Sequence, residues 1–108
     1  MQDRLIIKEV MTADFYESQA GQTAIFPKEK ALEYLALGMT SEAGEVAGKV
    51  KKLIRDGEDV EGFEMKKIAI SHEIGDVLWY CAMMAKEVGV PLADIMQDNL
   101  NKLHGRKE

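Results

Sequence analysis

"IAISHEIGDVLWYCAMMA" spans Ile68 to Ala85, and its only formal charges are Glu73 and Asp76. Ile68, Ile70, Ile74, Val77, Leu78, Trp79, Met83 and Met84 surround them. The stretch does not alternate with period two, so it reads as a helix that is apolar nearly all round, the pattern of a buried element. Carboxylates in such a place are costly unless they are protonated, paired or bound to a cation. Two of them in one helix therefore mark a site.

The punctuation on either side gives the rest of the layout. This helix starts near Glu64 and ends at Gly89, a residue suited to the left-handed position after a helix. Pro91 opens another helix, Leu92 to about His104, which Gly105 ends. Upstream, Thr12 is an N-cap for a first helix to about Gln22. Pro27 fits the first turn of a long second helix, with Glu29 favourable near its N-terminus. The polar "DGEDVEG" from Asp56 to Gly62 is the main loop. The class is all-α: a four-helix bundle with antiparallel neighbours. Residues 1–11 form an N-terminal arm, with Leu5-Ile6-Ile7 ambiguous between extended arm and strand, and 12–108 form the domain.

The acid pair occurs twice. "SEAGEV" in the second helix and "HEIGDV" in the third both read Glu-x-Gly-acid-Val. Glu42 and Glu45, like Glu73 and Asp76, are three residues apart and share a helical face. Glu42 and Glu45 are also the only charges between Tyr34 and Gly48. Inside a helix a glycine costs about 1 kcal/mol against alanine, so Gly44 and Gly75 point to a packing or site requirement. A single acid pair at this spacing is most often a solvated face. Two such pairs, each in an apolar run beside the same glycine, are better explained as one site assembled from two antiparallel helices.

Close negative charges of this kind must be neutralised by protons or by cations. Oxygen-only ligands favour hard cations, Mg²⁺ or Mn²⁺. A di-iron bundle needs Glu-x-x-His on two helices. Here His72 directly precedes Glu73, and His104 has no Glu three residues before it, which disfavours iron.

Composition narrows the function. A chain of 108 residues fits one domain. Its net charge of −5 and lack of a dominant basic stripe argue against a nucleic-acid polymer as partner. The single Cys81 cannot form an internal disulfide, which fits a reducing, cytoplasmic setting. Met1 to Val10 lacks the long apolar region of a signal peptide, and no apolar run approaches the roughly 20 residues of a membrane span.

The paired acids, with "LGMTSEAGEVAGKVKK", "HEIGDVLWYCAMMA" and "NLNKLHGR", resemble the blocks of the MazG-like nucleoside triphosphate pyrophosphohydrolases from about Thr12 to Arg106. That all-α superfamily includes dimeric dUTPases and phosphoribosyl-ATP pyrophosphohydrolases. The resemblance implies Mg²⁺-dependent cleavage between the α and β phosphates of a (deoxy)nucleoside triphosphate, giving a monophosphate and pyrophosphate. Glu42, Glu45, Glu73 and Asp76 would be the metal ligands and catalytic residues; one of these carboxylates would accept the proton of the attacking water, Glu45 being one candidate among the four. A triphosphate and four carboxylates repel one another unless divalent metal bridges them, and metal also lowers the pKa of water.

Candidate phosphate-binding cations come next. Glu42, Glu45, Lys49 and Lys52 follow one helical stripe by steps of three, four and three. The reading that Lys49, Lys51, Lys52 and Arg55 only complement the helix C-terminus stands beside this one. Asn99, Lys102 and Arg106 resemble the family's Asn-x-x-Lys-Leu-x-x-Arg segment, whose polar residues contact phosphate or sugar. Tyr80 lies four residues after Asp76 and would contact sugar or phosphate. Tyr16, Gln19 and Thr23 are weaker candidates for a nucleobase pocket. Trp79 reads as core, with base stacking as the alternative, Met83, Met84 and Met96 as core or subunit packing, and His72 as a surface or supporting residue. One short partner helix cannot cover the third helix, so a homodimer or homotetramer completes the bundle. The alternatives are phosphoribosyl-ATP as substrate, a non-catalytic metal- or nucleotide-binding module, and a purely structural bundle.

Overall fold

The computed structural model describes residues 10–57 and 61–105. Helix α1 runs Ala13–Gly21, α2 Ala31–Asp56, α3 Phe63–Val88 and α4 Leu92–Gly105, with no strand among the described residues. The expected all-α class and order of helices are found. Residues 1–9 of the N-terminal arm, with Leu5-Ile6-Ile7, lie outside the described residues, and Val10 and Met11 are exposed.

The local signals explain the boundaries. Thr12 caps α1: its Oγ1 accepts from the Phe15 amide at 3.0 Å, satisfying one of the first-turn donors. Pro27 differs from expectation. Its ψ of 118° is extended, so it precedes a short 3-10 turn, Lys28–Lys30, and α2 starts at Ala31. Gly57 and Gly89 follow α2 and α3 with φ of 85° and 78°, a region glycine enters without Cβ strain. Glu17 of α1 accepts from the Leu92 amide at 3.1 Å. It thereby meets an unpaired donor and the positive dipole end at the start of α4.

α2 and α3 form a long antiparallel hairpin. Lys49 pairs with Glu73 at 3.8 Å and, nearer the loop, Asp56 with Lys66 at 2.8 Å. The core gathers at the opposite end. Leu35 of α2, Ala82, Met83 and Ala85 of α3, Ala20 of α1 and Leu92 of α4 are buried together there. Trp79 and Met84 pack against that cluster, as expected of core residues, and the Trp79 indole donates to Thr23 Oγ1 at 2.8 Å. Met83 is buried, whereas Met96 is half exposed.

The hairpin leaves much apolar surface open. Leu37 is 72% exposed, Ile54 79% and Met65 67%, and Ile68, Ile74 and Leu78 are about half exposed. Small alanine side chains make up much of the buried core, so a single chain leaves its larger aliphatic residues in water.

Candidate functional site

Midway along the hairpin, Glu42 of α2 meets Glu73 and Asp76 of α3. One carboxylate oxygen from each lies within 4.8 Å of the others. Glu42 and Glu73 are half-buried and Asp76 is exposed. Partial burial pushes the Glu42 carboxyl above its ordinary range, followed by hydrogen bonding to Glu73 and the charges of Asp76, Glu73 and Glu45. Among the described residues Lys49 is the cation paired with the cluster, 3.8 Å from Glu73.

Glu45 is not in this trio. It is exposed, and it is not among the acids whose carboxylate oxygens gather within 4.8 Å. Its charge still reaches Glu42.

Tyr80 is placed as its spacing predicts. Burial raises its hydroxyl pKa, and the neighbouring Tyr34, Glu42 and Asp76 add to the shift. Its ring lies over Gly38, where a Cβ would collide with it. Gly38 was not legible as a site residue, although it lies four residues before Glu42 on the same stripe. From α1, Tyr16 approaches the other flank: burial and then the Asp76 charge raise its hydroxyl. Thr23 is committed to Trp79 and to the Ala20 carbonyl, to which it donates at 2.7 Å. His72 is exposed.

Gly44 and Gly75 behave alike. A Cβ on either would meet nothing within 4 Å. Among the described residues nothing makes the close approach their position implies.

Toward the loop the groove turns basic. Lys49, Lys52, Arg55 and Lys66 line a shallow cleft of about 180 Å³ with Asp56 and Ala69. Hydrogen bonds from Arg55 and then Lys66 hold the Asp56 carboxyl well below the usual carboxylate range. The reading of Lys49 and Lys52 as a continuation of the acid stripe therefore has a spatial counterpart. Lys66 carried no signal in the sequence. Its place follows from the hairpin register, which sets it against Asp56.

Asn99 and Lys102 are exposed on α4. Among the described residues neither pairs with the three carboxylates. Arg106 lies outside the described residues.

Three oxygen donors this close suit a hard divalent cation. The Glu42 pKa is raised first by partial burial and then by its acidic neighbours, and a bound cation would oppose both by favouring the charged carboxylate. The residues present thus fit Mg²⁺ or Mn²⁺. A helical hairpin that converges three carboxylates beside a row of cations defines an all-α protein with an acidic centre.

The chain belongs to the family of the MazG nucleotide pyrophosphohydrolase domain, whose model matches residues 30–108. The match takes in α2, α3 and α4, hence all three carboxylates, and leaves α1 outside. The gene 37 protein of Mycobacterium phage L5 is 40% identical over 104 residues, covering 91% of this chain and 90% of that relative. No solved structure matches the chain significantly.

Proposed function

We propose that this protein is a Mg²⁺-dependent nucleotide pyrophosphohydrolase that cleaves the α–β phosphate bond of (deoxy)nucleoside triphosphates, with Mn²⁺ as a possible substitute. The observation that carries this reading is the convergence of Glu42, Glu73 and Asp76 on the helical hairpin of a MazG-family chain.

In this reading Glu42, Glu73 and Asp76 hold the cation. When bound, it supplies positive charge to phosphate oxygens and acidifies water. Glu45, exposed beside the trio, accepts the proton of the attacking water. Lys49 leaves Glu73 for the phosphate tail. Tyr80, fixed over Gly38 beside Glu42 and Asp76, contacts the sugar or α-phosphate from the core side. Asn99, Lys102 and Arg106 complete the phosphate contacts.

A homodimer or homotetramer fits the open faces of α2 and α3. Leu37, Ile54 and Met65 are each more than two-thirds exposed in the single chain. Burying apolar surface yields roughly 25 cal/mol per Å², so pairing such helices is favourable. No helix among the described residues is long and apolar enough to cross a membrane. A cytoplasmic, nucleotide-pool role completes the proposal.

The test is a pyrophosphate-release screen in Mg²⁺ across nucleoside triphosphates and phosphoribosyl-ATP, with product identification in oxygen-18 water. The label is expected on the monophosphate. Label in pyrophosphate would overturn the cleavage position, and no release from any nucleotide would leave a binding module instead.

A further inference from the structure

We propose that Thr23, just past the end of α1, is a positioning residue that holds Tyr80 beside the carboxylate trio by way of Trp79. The Thr23 hydroxyl has one hydrogen, and it goes to the Ala20 carbonyl at 2.7 Å. What remains on Oγ1 can only accept. The Trp79 indole N–H, which can only donate, meets it at 2.8 Å. The direction of both bonds is thereby fixed, and Thr23 has no hydrogen left to offer a nucleobase. Its task differs from the nucleobase contact that its place in the sequence suggests.

The constraint passes from Trp79 to its neighbour. The Trp79 and Tyr80 rings meet edge to face, with centroids 5.0 Å apart and planes at 85°, an arrangement that aromatic pairs favour. Tyr80 also lies against Gly38 of α2, so closely that a Cβ there would collide with its ring. Its ring is therefore held by Trp79 and by the α2 backbone, with its hydroxyl within reach of the Glu42 and Asp76 charges. A Trp79 indole released from Thr23 gains rotamer freedom, and the edge-to-face contact that steadies Tyr80 weakens with it. Thr23 lies outside the residues that the family model matches, 30–108, whereas Trp79 and Tyr80 lie within them. The segment before the family domain thus reaches the site through one side-chain hydrogen bond. Only the effect on turnover rests on the proposed activity.

The primary experiment needs no turnover. Thr23→Val keeps the side-chain shape and removes both hydroxyl bonds. The Thr23 backbone N–H still donates to the Ala20 carbonyl at 3.0 Å, which preserves the turn. Circular dichroism checks folding, and Thr23→Ala serves if Thr23→Val unfolds. Trp79 is the sole tryptophan, so fluorescence reports its indole directly. Acrylamide quenching should rise in Thr23→Val and return to the wild-type level in Thr23→Ser, which keeps the hydroxyl. Nuclear magnetic resonance of the full chain with carbon-13-labelled tyrosine follows Tyr80, and Tyr80→Phe identifies its signal among the three tyrosines. The Tyr80 ring resonances should move in Thr23→Val and return in Thr23→Ser. Tyr80 resonances unchanged in a folded Thr23→Val or Thr23→Ala protein would overturn the proposal, whatever the protein's activity.

Kinetics in Mg²⁺ and nucleotide then test the link to the site. Thr23→Val should lower kcat/KM about threefold to tenfold, the worth of one neutral hydrogen bond, and Thr23→Ser should restore it. If Thr23 acts through Tyr80, the same substitution in a Tyr80→Phe background should cost almost nothing further. Full additivity of the two losses, or wild-type kcat/KM in Thr23→Val, would overturn the positioning role. A merely structural Thr23 predicts a lower Tm with the same fractional loss in both backgrounds. A protein that turns over no nucleotide but shows the Tyr80 displacement and its rescue would refute the proposed activity and leave the hold on Tyr80 standing.

Discussion

The two acid pairs are written almost identically and end differently. In "SEAGEV" and "HEIGDV" the first acid is half-buried, the next three residues are exposed and the valine is half-buried. The burial pattern repeats residue for residue, as the sequence repeat implies. Yet α3 delivers both of its acids to the cluster and α2 only Glu42. The neighbours differ. On the Asp76 side, α1 brings Tyr16 and α3 itself brings Tyr80, so that carboxylate sits among side chains. Glu45, exposed like Asp76, lies outside the cluster of carboxylate oxygens, though close enough for its charge to act on Glu42. A repeat therefore fixes which face a residue occupies, and tertiary neighbours decide where its functional atoms go.

Glu73→Gln breaks the contrast most severely. Glutamine keeps the shape and removes a ligand charge at the centre of the cluster. Metal binding is worth several kcal/mol in the transition state, so kcat/KM is expected to fall at least about a hundredfold. Steady-state pyrophosphate release checks this, with circular dichroism showing intact helicity. Near-normal activity would remove Glu73 from the metal site.

Glu45→Gln measures the asymmetry directly. A residue outside the trio that accepts a proton contributes on the order of 10²-fold in rate, and its loss should leave metal affinity close to wild type. Calorimetric Mn²⁺ titration separates the two roles. Loss of affinity equal to that of Glu73→Gln would mean that metal recruits Glu45 as a full ligand and restores the symmetry of the repeat.

Much of this was legible in the sequence because it rests on local chemistry. Thr12, Gly57 and Gly89 mark helix ends through capping and backbone conformation, which neighbours do not alter. The i, i+3 spacing likewise placed Glu73 and Asp76 together. The 3-10 turn after Pro27 was missed because proline fixes φ but leaves ψ to the chain around it. Gly38 and Lys66 were missed for a different reason. Each matters only through a residue on the other helix, Tyr80 and Asp56 respectively, and the hairpin register supplies those pairings.

The glycines offer a gentler test. A Cβ at Gly44 or Gly75 meets nothing within 4 Å among the described residues. Gly44→Ala and Gly75→Ala should each stabilise the metal-free monomer by about 0.5–1 kcal/mol, the helical cost of glycine. Thermal unfolding at low concentration reads this. Destabilisation of the monomer by either would show a close approach within the chain. Loss of activity despite higher stability would assign the open space to ligand.

The smallest expected effect is on the pH dependence of metal-free stability. The folded-state pKa of Glu42 is raised above the unfolded value of 4.5. The folded protein therefore holds that proton more tightly, and its contribution favours folding below the unfolded pKa. Stability from this group is lost as pH rises from about 4.5 through the raised folded pKa. Thermal melts in EDTA across mildly acidic pH should show the decline, and Glu42→Gln should flatten it. An unchanged slope in that variant would place the repulsion elsewhere.

The central claim is that Glu42, Glu73 and Asp76 form one divalent-metal site. The direct measurement is calorimetric titration of Mn²⁺ into metal-free wild type and Glu42→Gln, each shown folded by circular dichroism. Wild type should bind, and Glu42→Gln should bind at least about tenfold more weakly, since removing one charged ligand costs more than about 1.4 kcal/mol. Equal affinity in the two proteins, or no binding by wild type, would contradict the site.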